Sequence, residues 1–170
     1  MSEIGSNEDS TLNENVASQY LSFTLADEIY GVDILRVQEI RGWEDVREIP
    51  NTPNYIKGVL NLRDTVVPII DLRLRFTVND VEYTPTTVII VLAVMRNDNK
   101  HVVGVVVDSV SDVFDVSIES IKKAPDFGTK VNTQFINGMV MLEQKMVVLL
   151  DCDRLLNPDE LAALERLTNE

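Results

Sequence analysis

One stretch of the chain is present twice, and the two copies align at a constant spacing without a gap. The first copy, YIKGVLNLRDTVVPIIDLRLRF, runs from Tyr55 to Phe76, and the second, FINGMVMLEQKMVVLLDCDRLL, runs from Phe135 to Leu156. In each copy an apolar strand containing a glycine leads into a polar turn, a second apolar strand follows, and an aspartate opens a short leucine-rich segment. A chain that repeats a strand–turn–strand unit in this way is predicted to fold as two related halves.

A second, weaker repeat lies upstream of each copy. The segment YGVDILRVQEI from Tyr30 resembles VGVVVDSVSDV from Val103, at a somewhat shorter spacing than that of the first repeat. We attribute the difference between the two spacings to hairpin loops of different length. Each half is therefore predicted to comprise about 70 to 80 residues.

Most of the chain has the pattern of short strands. Residues 20–25 alternate between apolar and polar, which indicates a half-buried strand, and Val88 to Val94 is an apolar run typical of a strand buried on both faces. Arg96 to His101 is predicted to be a polar six-residue loop. Because closing a sheet removes the edges that such apolar strands would expose, the fold class is predicted to be mainly β, with two small five-stranded barrels.

Two internal segments have a helical pattern. The segment from Ile34 to Trp43 fits both a helix and a strand, and we interpret it as a helical turn at Ile34–Arg36 followed by a strand. Residues Ser117 to Lys123 are predicted to form a short helix whose Ile118 and Ile121 side chains face inward.

The two ends of the chain differ in character. Residues 1–18 are polar and acidic, without Lys or Arg, and are predicted to form a disordered tail. Residues 158–170 are predicted to form a C-terminal helix, because Asn157 can cap it, Pro158 suits its first position and Glu160 completes a capping-box pattern. An apolar stripe follows at Leu161, Leu164 and Leu167.

Composition excludes several classes of function. The formal net charge of −13 and the pI of about 4.4 argue against binding to nucleic acid or to an anionic membrane surface. Cys152 is the only cysteine, which precludes an internal disulfide and fits a reducing cytoplasm. No apolar run approaches the ~18 residues of a membrane span, and the acidic N-terminus does not have the pattern of a signal peptide.

Candidate catalytic residues are few. His101 is the only histidine and is predicted to be a surface residue, and Cys152 is predicted to be a buried, inert thiol. One Cys and one His cannot make a zinc site, and no phosphate-binding loop is present. Asp71 and Asp151 occupy the same repeat position, where each is predicted to cap a helical turn rather than to transfer protons. The sequence therefore predicts no catalytic site, metal site or cofactor.

The remaining features suggest binding through surfaces. Gly58 and Gly138 share one repeat position, where either a kink for barrel closure or a close approach would require glycine. Arg63, at a hairpin tip, fits a solvated charge or a contact residue equally. The residues Val37, Ile40, Val110 and Val113 occupy matching places in the two halves and fit either the core or a small apolar binding patch, which in the first half is flanked by Glu39 and Arg41.

Three ordered segments of the chain resemble the CheW family of bacterial chemotaxis coupling proteins. They are FTLADEIYGVDILRVQEIRGW, IPNTPNYIKGVLNLRDTVVPIIDLRLRF and VVGVVVDSVSDV, and the resemblance covers about residues 19 to 160. It implies one domain over residues 19–157, made of two intertwined SH3-like barrels with an apolar core between them. It also implies a cytoplasmic, non-catalytic scaffold, recruited to membrane-associated receptor arrays without membrane insertion, that links chemoreceptors to the regulatory domain of the histidine kinase CheA.

Site residues follow from the resemblance position by position. The groove that receives the helical receptor tip would involve Val37, Glu39, Gly58, Arg63, Val110 and Val113. Contacts to the kinase would involve Gly42, Trp43, Glu44, Lys122 and Phe127.

The chain departs from the family pattern at the hairpin tip. Asp64 stands where the family usually has glycine after NLR, so the Arg63 turn is expected to differ, and the Arg96–His101 loop looks longer than usual. Two alternatives stay open: a CheV-like adaptor or regulatory fragment of a CheA-like kinase, and a small-ligand or acidic barrel enzyme.

Overall fold

The structure, a computed structural model, describes residues 18–76, 81–96, 98–123 and 135–168 and contains ten strands and two α-helices within them. The predicted tail lies outside this part of the chain except for Ser18, which begins the first strand. The strands are β1 (Ser18–Leu25), β2 (Glu28–Asp33), β3 (Val37–Gly42), β4 (Ile56–Leu62), β5 (Thr65–Asp71), β6 (Val88–Arg96), β7 (Asn99–Val107), β8 (Ser109–Val116), β9 (Ile136–Leu142) and β10 (Lys145–Leu150). The α-helices are α1 (Leu72–Arg75) and α2 (Pro158–Thr168), and single 3₁₀ turns span Ile34–Arg36, Ile118–Ser120 and Cys152–Arg154.

The strands form two five-stranded sheets of the same topology. One has the order β8-β1-β2-β10-β9 and the other has the order β3-β6-β7-β5-β4. The repeat relates β1–β5 to β6–β10, yet each sheet combines the first two strands of one half with the last three strands of the other. The chain therefore crosses between the sheets before β3 and again before β8, so the two sheets are intertwined, and the predicted fold class is confirmed.

Each sheet closes into a barrel through one short backbone bridge. In the β3–β7 barrel the Arg47 N–H donates to the Val59 carbonyl at 3.1 Å, and the Val59 N–H donates to the Arg47 carbonyl at 2.9 Å. In the other barrel Lys122 and Met139 exchange the same two bonds at 2.8 Å. Met139 is the repeat equivalent of Val59, so the two barrels close at the same repeat position.

Three apolar clusters fill the described structure. The largest lies between the sheets and draws side chains from both, and a smaller one lies inside each barrel. Strand β6 illustrates the arrangement, since Ile90 and Leu92 join the central cluster whereas Ile89 and Val91 join the cluster inside their own barrel. The prediction that this strand is buried on both faces is confirmed.

Three two-residue hairpin turns have left-handed backbone at both positions without using glycine. They are Ala26–Asp27, Arg63–Asp64 and Glu143–Gln144, with φ between 50° and 68°. Positive φ at both positions is the geometry of a type I′ turn, which matches the twist of the flanking strands. Asp64 thus adopts at φ 66° the conformation that glycine would provide at lower strain.

Glycine at these turns is expected to stabilise the fold, and more so at Gln144 than at Asp64. Aspartate tolerates the left-handed region better than glutamine does, so Gln144→Gly should raise the free energy of unfolding by about 1 kcal/mol and Asp64→Gly by about 0.5 kcal/mol. Denaturant titration of both variants beside the parent chain measures the difference. A loss of stability in Gln144→Gly would contradict the strain assigned to this turn.

A buried ion pair fixes the end of the first repeat copy. Asp71 caps α1 by accepting the Arg73 N–H at 3.0 Å, as the sequence predicted, and its carboxylate also accepts two bonds from the Arg73 guanidinium. Arg73 reaches across to Asp108, between β7 and β8, at 2.9 Å. Although burial by itself lowers it, the pKa of the Arg73 guanidinium is raised by the hydrogen bonds and charges of Asp71 and Asp108.

The equivalent pair in the second copy has the opposite polarity. Asp153 is the repeat equivalent of Arg73 and binds Arg36, between β2 and β3, at 2.7 and 2.9 Å. Although burial raises it, the pKa of the Asp153 carboxyl is lowered by the hydrogen bonds from Arg36 and from the Met95 N–H. Each pair links the turn that follows β5 or β10 to a connection where the chain crosses between the barrels. These connections are the one between β7 and β8 and the one between β2 and β3. Asp151 accepts the Asp153 N–H at 3.0 Å, which confirms its predicted cap.

Two local predictions are wrong. The pairing of β6 with β7 continues to Arg96 and Asn99, so most of the predicted loop is paired strand, and His101 lies half-buried within β7. The β6–β7 hairpin extends beyond the apolar core, so its outer residues are polar although they are paired. The predicted helix at Ser117–Lys123 is only a 3₁₀ turn, and Ile118 points outward with 61% of its surface exposed, while Ile121 packs inward as predicted.

Candidate partner-binding surfaces

Strands β3 and β8, which follow the two crossings between the sheets, present aliphatic side chains at equivalent places. Val37 on β3 and Val110 on β8 are half-buried and pack against the central cluster. Further along the same strands Ile40 and Val113 are 43% and 47% exposed. We call these four residues the edge-strand surface. The sequence left open whether these residues belong to the core or to a binding patch. Val37 and Val110 lie at the margin of the core, whereas Ile40 and Val113 are exposed and available to a partner.

The barrel that contains β3 adds a network of charges to this surface. Glu39 pairs with Arg41 at 3.0 Å and with Arg63 at 3.2 Å, and Arg41 also pairs with Glu44 at 2.9 Å. The Glu39 side chain is 20% exposed whereas that of Arg63 is 83% exposed. The structure thus brings together Glu39 and Arg63, which the resemblance assigned to the receptor, and it extends the network from Glu39 to Glu44 through Arg41, to which the resemblance gave no role. Glu39 and Arg63 are far apart in sequence, so no sequence pattern predicted the ion pair between them.

Gly58 has a structural reason of its own. It is buried at φ 144°, and a Cβ atom there would lie 2.0 Å from the Arg47 carbonyl oxygen. Arg47 is the residue that closes this barrel against β4. The need for glycine is therefore explained by barrel closure, and a receptor contact at Gly58 stays a prediction.

In the first half of the chain, the residues assigned to the kinase lie at the end of β3 and directly after it. Gly42 and Glu44 are exposed, and the half-buried Trp43 donates its backbone N–H to Thr87 at 3.0 Å. The Trp43 ring stacks on Tyr83 with 4.2 Å between the centroids. Sequence reasoning missed Tyr83, because it lies in an irregular segment without periodicity. Tyr83 also donates to Asp71 at 2.9 Å, so the aromatic pair is anchored to the buried network.

The second barrel contributes less to the predicted kinase surface. The Lys122 side chain is exposed, and its backbone closes the barrel against Met139. Phe127 lies outside the described residues, so its assignment stays a prediction.

The structure shows where the candidate chemical groups of the sequence lie. Cys152 is buried, as predicted, and burial raises the pKa of its thiol to about 12. Among the residues described, no group of His, Cys, Asp and Glu side chains could hold a metal ion. No described helix has the length and apolar character needed to cross a membrane.

Comparison with known proteins places the chain in a family. A family model described as "CheW-like domain" matches residues 19–160. The chain is 46% identical over 154 residues to chemotaxis protein CheW of Klebsiella aerogenes, covering 91% of this chain and 90% of that protein. It is 36% identical to a probable chemotaxis protein CheW of Rhizobium etli, covering 84% and 89%.

A solved structure is similar over most of its length. It is titled "Crystal structure of scaffolding protein TtCheW from Thermoanaerobacter tengcongensis" and matches with a TM-score of 0.75 at 29% identity, covering 85% of this chain and 90% of that one. The sequence repeat, the two intertwined sheets and the family match all indicate the same fold. The chain belongs to the CheW-like domain family.

Proposed function

We propose that the chain is a chemotaxis scaffold that couples chemoreceptors to the histidine kinase CheA at membrane-associated arrays. Its membership in the CheW-like family supports the proposal, as do relatives named chemotaxis protein CheW and a similar structure described as a scaffolding protein. Within the chain, the observation that carries the proposal is the edge-strand surface. Aliphatic residues occupy the same repeat positions on β3 and β8, and one residue of each strand is exposed. The proposal assigns no catalytic step to the chain.

The receptor is proposed to bind as a helical tip along the edge-strand surface. An amphipathic helix presents an apolar stripe that can pack on the exposed Val113 and on the half-buried Val37 and Val110. Glu39 and Arg63 lie beside these residues and can exchange their mutual ion pair for polar contacts that fix the helix register. Gly58 is assigned to the same contact, and its small size also allows Arg47 to close the barrel that carries β3.

The regulatory domain of CheA is proposed to bind at the ends of the barrels. The residues assigned there are Gly42, Trp43, Glu44, Lys122 and Phe127. Trp43 is suited to the centre of such a contact, since tryptophan is enriched among the residues that dominate binding energy. Its stacking on Tyr83 holds the ring in place before the partner arrives, which lowers the entropy lost on binding.

A calorimetric titration with the regulatory domain of a CheA-type kinase tests the proposal directly. Saturable one-to-one binding at about micromolar affinity or tighter is expected, which corresponds to about −8 kcal/mol. Absence of heat at several temperatures, with both proteins folded, would refute the kinase half of the proposal.

Val113→Glu is expected to weaken binding of the receptor tip by at least about tenfold, because it places a charge in an apolar contact. The side chain is 47% exposed in the free protein, so the fold and the affinity for the kinase domain should be unchanged. Val113→Thr is the matched control, since it keeps the branched shape without a charge and should change the affinity much less. Receptor-tip titrations of both variants measure this, and parental affinity in Val113→Glu would exclude Val113 from the receptor contact.

A further inference from the structure

Tyr83 is the one exposed tyrosine of the chain. All four tyrosines fall within the described residues, and the other three are buried or half-buried. The Tyr83 ring stacks on Trp43 with 22° between the two planes, and Trp43 also packs against the apolar cluster inside the β3–β7 barrel. With 36% of its surface exposed, Tyr83 is the more exposed residue of this aromatic pair. It therefore presents an aromatic surface directly beside the residues assigned to the kinase.

The buried ion pair holds Tyr83 in place. The Tyr83 hydroxyl donates to Asp71 Oδ2 at 2.9 Å, and Arg73 Nη1 donates to the carbonyl of the preceding residue, Glu82, at 2.7 Å. The guanidinium carbon of Arg73 lies 5.0 Å from the centroid of the Tyr83 ring. Burial, together with Asp71, raises the pKa of the Tyr83 hydroxyl, which therefore stays a donor at neutral pH. Both the ring and its backbone are thus fixed before a partner binds, which lowers the entropy lost on binding.

The second half of the chain offers no counterpart of this arrangement among the described residues. Val116 is the repeat equivalent of Trp43 and is buried. Lys57 Nζ lies 5.7 Å from the centroid of the Tyr83 ring, whereas the repeat equivalent of Lys57 is the uncharged Asn137. Within the part of the chain that the structure describes, an exposed aromatic ring beside a cation therefore occurs only next to the β3–β7 barrel.

We propose that Tyr83 is a kinase-contact residue whose phenol ring, backed by Trp43 and held by Asp71, packs against an apolar side chain of the CheA regulatory domain. This rests on the proposed function and adds to it a residue that neither the resemblance nor a sequence pattern assigned. Gly42 and Glu44 are exposed on either side of Trp43 in the chain, so the Tyr83 ring extends the surface already assigned to the kinase. Tyrosine is suited to this role, because it offers a large contact area with few rotatable bonds.

Hydroxyl-radical footprinting of the full chain tests the contact directly. The modification rate of Tyr83 should fall at least about threefold when the chain is saturated with the regulatory domain of a CheA-type kinase, because a contact excludes water from the ring. Met95 is the internal reference, since it is exposed at the opposite end of β6 from Thr87, which binds the Trp43 backbone. Its modification rate should change less than about twofold, because a side chain outside the contact keeps its water.

Calorimetric titration of variants measures what the ring and the hydroxyl contribute. Tyr83→Ala removes the ring and should weaken binding of the regulatory domain at least about tenfold. Tyr83→Phe keeps the ring but removes the hydrogen bond that orients it, and should weaken binding about threefold. Thr86→Ala is the matched control, because Thr86 is exposed in the same segment without an aromatic ring, and it should change the affinity less than about twofold.

Two further measurements separate a contact from a loss of structure. Tyr83→Ala should bind the receptor tip within about twofold of the parent chain, because Tyr83 does not belong to the edge-strand surface. Trp43 is the only tryptophan, so acrylamide quenching of its fluorescence reports whether Tyr83 covers it. The quenching constant should rise at least about 1.5-fold in Tyr83→Ala and stay parental in Tyr83→Phe, which keeps the ring.

Four outcomes would overturn the proposal and leave the proposed function standing. Tyr83 could remain as reactive in the complex as in the free chain, or Tyr83→Ala could bind the regulatory domain as the parent does. Tyr83→Ala could lose receptor and kinase binding equally, which would mean that Tyr83 acts only through the fold. Parental affinity in Tyr83→Phe, or parental quenching in Tyr83→Ala, would remove the support assigned to Asp71 or to Trp43. Absence of kinase binding by the parent chain would refute the proposed function and this proposal together.

Discussion

Gly58→Ala is expected to lower the free energy of unfolding by about 3 kcal/mol or more, enough to leave the chain unfolded if its stability is at the low end for a domain. Two effects add. Alanine at φ 144° occupies a backbone region that is essentially restricted to glycine, and its Cβ would lie 2.0 Å from a backbone oxygen that cannot rotate away. Arg47 must move, and the bridge that closes the barrel breaks with it.

Two other glycines serve as graded controls for this result. At Gly138 a Cβ would meet the Ile121 Cγ2 atom at 2.4 Å, a side-chain atom that can shift, so Gly138→Ala should cost about 1 to 2 kcal/mol. At Gly42 nothing lies within 4 Å, and Gly42→Ala should cost less than about 0.5 kcal/mol. Denaturant unfolding followed by circular dichroism gives all three values. A Gly58→Ala variant as stable as Gly42→Ala would show that the chain does not close this barrel through Arg47.

Arg73→Met is expected to cost about 3 to 5 kcal/mol, because it leaves the Asp71 carboxylate buried without its cation. Asp71 is fully buried and Arg73 is 3% exposed, so water cannot replace the lost partner. Methionine fills much of the same volume, which restricts the effect to the charge and its hydrogen bonds. Denaturant titration at neutral pH measures the loss.

The second ion pair is the matched control for this variant. Arg36→Met removes the cation of the equivalent pair, whose side chains are 31% and 29% exposed, and should cost only about 1 kcal/mol. Equal losses in the two variants would mean that burial does not set the strength of these pairs.

Local features of this fold could be predicted from the sequence because their causes are local. The caps at Asp71 and Asp151 and the capping box at Asn157 depend on residues within three positions of each other, and the structure confirms them. The repeat likewise predicted equivalent hairpins. That the two barrels are intertwined followed only from the family resemblance, because the turn at Ile34–Arg36 is compatible with a following strand in either barrel.

Features that depend on distant partners could not be predicted from the residues. Arg73 and Asp153 occupy the same repeat position with opposite charges. No pattern in the sequence indicates that Arg73 binds Asp108 or that Asp153 binds Arg36. Glu39 and Arg63 were assigned to one surface, but only the fold shows the ion pair between them and the second pair that Glu39 makes with Arg41. Polar residues of the β6–β7 hairpin were taken for a loop because strands outside an apolar core keep no alternating pattern.

Strand exchange also sets the order in which the chain can fold as it is synthesised. One barrel is built from β3 to β7, which are contiguous in sequence, so all of its strands have left the ribosome before β8 does. The other needs β1 and β2 beside β10, where Ile29 pairs with Val147. The β1–β2 hairpin therefore cannot complete its sheet until the β9–β10 hairpin has been synthesised. The barrel of β3 to β7 can form before then. Removing β1 would thus leave β8 without its neighbour in the sheet, although β2 to β7 separate the two strands in sequence.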